Sequence, residues 1–277
     1  MFSKQYLIFL IFLIIINGCS KKDDLKVSKL TKVNIKEQMI EAYKEGLQAL
    51  DNQDGVIAAK KFTEAEILFP QSIWAPRSAL MTAYSFYTYG YYIDSINEIE
   101  RYLKTYPLHN RKDYAYYLLG LSYYEQIVDE KKDLEPIINA KKYFKIVKEK
   151  YSDTEFALDA TYKLELINEM LASKEMYIGR YYIEREKWIP AINRFKTIVK
   201  DYNTTIFIEE ALHRLVEINY KIGLIEESKN YAQVLGYNYN SSEWYERSYK
   251  VFNKDYAKIR KRKKEKTLIN KLKSIIN

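Results

Sequence analysis

Small, apolar and aromatic residues recur along this chain at helical spacing, and the same set of intervals returns several times. Within residues 43–70 the marks are Gly46, Ala49, Ala58, Phe62, Ala65 and Pro70. Ala83, Phe86, Ser95, Ile99, Tyr102 and Pro107 repeat them, each 37 residues after its counterpart. A third copy carries Gly120, Tyr123, Ala140, Phe144 and Val147, and from Gly120 to Ala140 it spans 20 residues where the first copy uses 12. A fourth has Gly179, Tyr182, Ala191, Phe195 and Ile198; a fifth is degenerate, with Tyr220, Ser228, Ala232 and Leu235. The pattern predicts paired helices at 35–52 with 54–69, 72–89 with 92–105, and 112–128 with 135–150. Residues 153–186 contain no proline and only Gly179, and their apolar positions predict one long helix or two nearly continuous ones. Helices at 188–200 and 205–222 follow. Tyr245, Tyr249, Phe252, Tyr256 and Ile259 then line one helical face that would cap the last pair.

These intervals are those of a tetratricopeptide repeat. Small residues let two antiparallel helices approach closely, a larger one plugs the gap between them, and a proline stops the second helix. The expected fold is therefore all-α, a superhelical solenoid of about five helix pairs with C-terminal capping helices. The expected divisions are a signal peptide at 1–18, a tether at 19–34, an N-terminal block of three repeats at 35–152, a C-terminal block of two at 153–240, and a cap with a basic tail at 241–277.

The N-terminus adds an anchor. Lys4 precedes an apolar run over residues 6–16, too short to cross a bilayer and of the length of a signal-peptide core. The run ends in Asn17-Gly18-Cys19, which resembles a bacterial lipoprotein box. Cys19 would carry a diacylglycerol thioether and, after cleavage, an N-acyl group; no other cofactor is expected. The alternative is a free cysteine in an ordinary signal peptide or uncleaved anchor. Cys19 is the only cysteine in 277 residues, so no disulfide can form within the chain. Ser20 follows it, where an aspartate would favour inner-membrane retention, so the outer membrane is the expected address.

Charge and chemistry narrow the function. The chain carries a formal +8, but residues 254–277 alone hold ten Lys or Arg against two acids. The basicity belongs to a tail, a solvated helix end or a contact for anionic lipid or an acidic partner. Nucleic acid is not an expected partner of a lipoprotein. The two histidines, His109 and His213, match no metal or nucleophile spacing, and no GxSxG, P-loop, HExxH or dinucleotide glycine pattern occurs. A non-enzymatic binding protein is expected. Counting Gly46 as position 8 of the template, groove-facing positions 2, 5, 9, 12 and 13 include Tyr43, Tyr84, Tyr87, Tyr114, Tyr117 and Tyr124. Those rings could stack on a bound peptide or fill the groove by packing on one another.

With these features in place the chain resembles the BamD family, also called ComL or YfiO, the lipoprotein subunits of the outer-membrane β-barrel assembly machinery. The resemblance rests on the box ending in Cys19 and on AAKKFTEAEILFPQSIWAPRSALMTAYSFYTYGYYIDSINEIERYLKTYP. It rests also on DYAYYLLGLSYYEQI before the widened third repeat, on YIGRYYIEREKWIPAINRFKTIVKDY, and on VLGYNYNSSEWY. It implies a scaffold on the periplasmic face of the outer membrane that contacts the periplasmic domains of a BamA-like barrel protein, with other lipoproteins of the complex as further partners. It implies that the front repeats receive the C-terminal signals of unfolded outer-membrane proteins, with Tyr84, Tyr87, Tyr114, Tyr117 and Tyr124 as groove candidates. Arg194, in INRF, matches a motif whose arginine lies in the BamA-facing region; otherwise it is an exposed helix arginine. The competing reading is another periplasmic repeat lipoprotein, serving cell-wall enzymes or pilus and secretin assembly; an envelope hydrolase is a third.

Overall fold

The computed structural model describes residues 32–128 and 133–252. The signal peptide, Cys19, most of the tether and the basic tail lie outside the described residues. The described chain folds into eleven helices and no strand. They are α1 (Lys32–Asp51), α2 (Gly55–Leu68), α3 (Ala75–Thr88), α4 (Tyr92–Thr105), α5 (Lys112–Tyr124) and α6 (Glu135–Lys150). Then come α7 (Glu155–Glu184), α8 (Trp188–Asp201), α9 (Ile208–Lys221), α10 (Ile225–Asn238) and α11 (Glu243–Phe252). Each helix packs on the next in sequence, as a solenoid requires. First helices of neighbouring pairs also touch directly, α3 with α5 and α5 with α7, which makes theirs the inner side of the curve.

The spacing works through matched sizes. A methyl added to Gly46 would lie 2.8 Å from the ring of Phe62, and one on Gly120 2.8 Å from Phe144. Gly179 meets Phe195 in the same way, at 2.6 Å. The second pair uses Ala83 with Ile99, both fully buried. The fifth reverses the sizes, with buried Val216 on the first helix and Ala232 on the second.

Two turns recur. Within a pair, the first helix closes with a left-handed residue and a six-to-one hydrogen bond. The amides of Asp54, Tyr91, Lys187 and Leu224 donate to the carbonyls of Ala49, Phe86, Tyr182 and Asn219 at 2.8–2.9 Å. The left-handed residues are Gln53, Gly90, Glu186 and Gly223. The third pair has its insertion there instead. This turn corrects the reading of the fifth repeat: Asn219, buried, occupies the slot expected for Tyr220, whose half-exposed ring meets Phe252 at 5.4 Å. Between pairs, an aromatic ends each second helix and its carbonyl accepts from the amide three residues on. The pairs are Phe69 with Ser72, Tyr106 with His109, Tyr151 with Thr154, Tyr202 with Thr205 and Tyr239 with Ser242, all at 3.0–3.1 Å.

Residues 155–184 form one helix of 30 residues. Its buried stripe runs Ala157, Ala160, Leu164, Ile167, then jumps to Ala172, Met176, Gly179. The step from 167 to 172 is one residue longer than a continuous stripe allows, and it rotates the buried face by roughly 100°. The first half therefore covers α6, and the second half serves as first helix to α8. At the C-terminal end Trp244 and Tyr245 of α11 pack on Ile208, Leu212 and Leu235, closing the last pair. Tyr245, Tyr249 and Phe252 fall on the expected capping helix; Tyr256 and Ile259 lie outside the described residues.

Candidate functional site

The inner face of the front three pairs is lined by α3, α5 and the start of α7. Tyr84 and Tyr87 of α3 and Tyr114 of α5 are half-buried against the cluster of Ala79, Leu80, Ala83 and Leu118. The Tyr114 ring lies 5.4 Å from Phe156 of α7. Tyr117 stacks on the same Phe156 at 5.1 Å and donates its hydroxyl hydrogen bond to Asp159 at 2.7 Å. Tyr124 sits edge-on to Phe144, with the Lys163 ammonium 4.6 Å above its ring. Tyr114 and Tyr117 thus pack onto Phe156 of α7, Tyr124 onto Phe144 of α6, and Tyr84 and Tyr87 onto the core between α3 and α5, each ring only partly buried. Burial pushes the Tyr87 hydroxyl up to about 12, helped by the nearby Glu125, Tyr92, Tyr84 and Asp159. Burial raises Tyr114, Tyr117 and Tyr124 as well, Tyr117 with the Asp159 hydrogen bond added. At neutral pH Tyr87, Tyr114, Tyr117 and Tyr124 are therefore neutral phenols.

The array ends in a pocket that the tyrosine count did not anticipate. Tyr43, Leu80, Met81 and Tyr114 wall a space of about 350 Å³, with Asn110 and the guanidiniums of Arg77 and Arg111 at its border. Arg77 lies over the Trp74 ring at 5.4 Å, and Arg111 over Tyr114 and Phe156 at 5.9 and 5.7 Å. Neither arginine has a carboxylate partner among the described residues, and nor does Arg185, which lies over Tyr181, whereas Arg101, Arg180, Arg194, Arg214 and Arg247 all do. Burial, together with the positive charges of Arg77 and Arg111, lowers the pKa of nearby His109, whose Nδ1 is 2.5 Å from the Tyr102 hydroxyl. Two cations on an apolar, aromatic-walled pocket suit an anion attached to a large apolar group. Arg77 does occupy groove position 2 of the second repeat, so the register could have found it. Arg111 precedes α5, in the turn, where the template makes no assignment.

The inner face of the rear pairs is built from charge. Glu210 of α9, 6% exposed, is held by Arg180 of α7 and by Arg214. Arg180 Nε donates to Glu210 Oε1 at 3.0 Å, and a second bond joins Arg180 Nη2 to Glu210 Oε2. Arg214 continues to Glu217 at 2.8 Å, and Glu217 lies 3.3 Å from Nε2 of buried His213. His213 Nδ1 is 2.9 Å from Ser248 Oγ, and its ring packs on Trp244. Burial pushes the Glu217 carboxyl up, but hydrogen bonds and charge from His213 and Arg214 outweigh it and hold it below its ordinary value.

Arg194 lies apart from both faces, on α8, a second helix and so on the outer side. Its Nη1 reaches both oxygens of Glu175 at 3.2–3.3 Å. Beside it Tyr182, Ile189, Pro190, Asn193 and Thr197 form a shallow depression of about 240 Å³. No helix among the described residues is long and apolar enough to cross a membrane.

The sequence profile of YfiO, described as an outer membrane lipoprotein, matches residues 35–235. A Caulobacter vibrioides protein named outer membrane protein assembly factor BamD is 39% identical over 211 residues, covering 76% of this chain and 69% of its own length. A Rickettsia prowazekii protein of the same name is 35% identical over 238 residues, covering 86% and 92%. A solved chain from the functional characterization of Pseudomonas aeruginosa pilF covers 76% of this chain and 96% of its own length, at 13% identity and a TM-score of 0.24.

Proposed function

Since the chain belongs to the YfiO family of outer membrane lipoproteins, we propose that it is the lipid-anchored scaffold of a β-barrel assembly complex. Acyl chains on Cys19 hold it at the periplasmic face of the outer membrane. Its front inner face receives unfolded outer-membrane proteins, and its rear repeats dock a BamA-like partner, with Arg194 on that outer surface. It binds and positions, without a catalytic step.

The observation that carries the client half of this reading is the pocket bordered by Arg77 and Arg111. A chain end that terminates in an aromatic residue offers a ring for the walls of Tyr43, Leu80, Met81 and Tyr114, and a carboxylate for the two guanidiniums that have no acid partner among the described residues. A hydrogen bond to a charged group contributes about 1.5–3 kcal/mol, so removing the carboxylate costs on the order of 10- to 100-fold in affinity. A peptide ending in free phenylalanine is compared with its C-terminal amide. The free acid binds more tightly to the native chain, and Arg77→Ala or Arg111→Ala abolishes that preference while leaving amide binding unchanged. Equal affinity for acid and amide overturns the assignment. For the partner half, detergent-solubilised membranes are expected to yield a BamA-like barrel protein with this chain, in reduced amount for Arg194→Ala.

A further inference from the structure

The two edges of the front solenoid differ. One edge carries the turns between pairs, and there Ile73 and Leu108 are 73% and 96% exposed. Both line a single shallow depression with Pro70, Pro76 and Pro107. The segments 69–78 and 103–114 at this edge hold Arg77, Lys104, Arg111 and Lys112 against Asp113 alone, a net of +3. Asp113 is buried, and neither Lys104 nor Lys112 has an ion-pair partner among the described residues. The opposite edge, in segments 50–58 and 87–95, holds Asp51, Asp54 and Asp94 and no cation, a net of −3. Exposed aliphatics occur there too, Ile57 and Ile93 among them, so apolarity alone does not separate the edges.

The start of the described chain does. Met39 and Ile40, near the beginning of α1, pack with Leu68, Phe69 and Trp74 beside the first of these turns. The N-terminus of α1 therefore emerges at the cationic edge. Twelve residues separate Cys19 from Lys32. A chain of that length reaches at most ~43 Å. Acyl chains on Cys19 would keep this edge within that reach of a bilayer, where weak contacts act at high effective concentration.

We infer that the 69–74 and 106–111 turns form a second, orienting membrane contact. Ile73 and Leu108 enter the headgroup region of an anionic leaflet, and Lys104 and Lys112 face its headgroups. The acidic edge then points away from the membrane, and the pocket bordered by Arg77 and Arg111 opens next to the lipid. This inference rests on the acylation of Cys19 proposed above.

The test uses the full acylated chain in vesicles of phosphatidylethanolamine and phosphatidylglycerol. Ile73→Cys, Leu108→Cys and Ile93→Cys each give a single thiol for an environment-sensitive fluorophore, because an acylated Cys19 does not react. The expected result is a blue shift, and quenching by headgroup-level nitroxide lipid, at 73 and 108 but not at 93. Lys104→Glu with Lys112→Glu, read by the probe at 108, is expected to reverse the shift. Water-like emission at 73 and 108, or equal quenching at 93, overturns the inference. The mass of the N-terminal peptide is recorded on the same samples. An unmodified Cys19 removes the anchor and this contact together, whereas an acylated Cys19 with water-like probes removes the contact alone.

Discussion

The same repeat slots are filled with opposite chemistry in the front and rear of this solenoid. Slot 2 holds Tyr114 in the third pair and Glu210 in the fifth; slot 5 holds Tyr117 and His213; slot 9 holds Tyr84 in the second pair and Arg180 in the fourth. In front, first helices are joined by a phenol on a carboxylate, Tyr117 to Asp159, within a stack of rings. In the rear they are joined by Arg180 and Arg214 on buried Glu210. A backbone that repeats needs only matched sizes between its helices. Its inner face is free to vary, and here it yields a neutral aromatic surface with two spare cations at one end and a set of mutually satisfied charges at the other. A surface with unspent hydrogen-bonding and cationic capacity suits a changing set of ligands; a satisfied network suits a fixed shape.

pH should separate the two halves most strongly. Burial raises Tyr43, Tyr87, Tyr102, Tyr106, Tyr114, Tyr117, Tyr123, Tyr124 and Tyr151 in the front, against Tyr202 in the rear. A phenol with a raised folded value stabilises fully below its ordinary value near 10, and that contribution is lost as pH climbs beyond it, toward about 12 for Tyr87. Glu217, held below its ordinary carboxyl value, contributes above that value and loses its contribution as pH falls through the folded one. Hydrogen exchange read by mass spectrometry is expected to show the front opening first in alkali and the α9–α11 end first in acid. Simultaneous opening in both would mean that the contrast has no energetic content.

Substitutions sharpen the same contrast. Glu210→Ala leaves Arg180 and Arg214 facing each other without their shared acid. Both arginines are partly exposed, so the cost is placed at about 2–3 kcal/mol, below the range for fully buried pairs, and is read by urea denaturation. Tyr117→Phe removes one hydrogen bond to Asp159 while keeping the ring stack, for about 1–2 kcal/mol, and should raise exchange in the front alone. The smallest effect concerns a turn shared by both halves. Glu186 is left-handed at φ 56° where Gly223 serves the next pair at φ 88°. Glu186→Gly should therefore stabilise by about 1 kcal/mol in a thermal melt.

The helices were legible because the repeat rule is local: Gly46 and Phe62, or Gly179 and Phe195, are sixteen residues apart and touch by design of the pair. The degenerate fifth copy was misread at Tyr220 because sequence gives no view of the carbonyl that accepts from Leu224. Trp244 lies off the capping stripe that starts at Tyr245, so its place over His213 was not foreseen. Four of the five aromatics that end the second helices are tyrosines, in plain view yet lost among 28. The pocket was harder to read for a different reason: Tyr43, Arg77 and Tyr114 come from three helices, and only their meeting sets two arginines without acid partners among the described residues beside one aromatic wall.

The 30-residue α7 carries Phe156 and Asp159 near its first turn and Arg180 near its last. At ~1.5 Å per residue it is a strut of ~45 Å. Whatever wedges between Tyr117 and Phe156 leans on one tip of that strut, and a tilt of ~10° carries the other tip through ~8 Å. Under the function proposed above, a protein docked on α8 would feel cargo arrive as a swing of an oar, with no message having to creep from side chain to side chain.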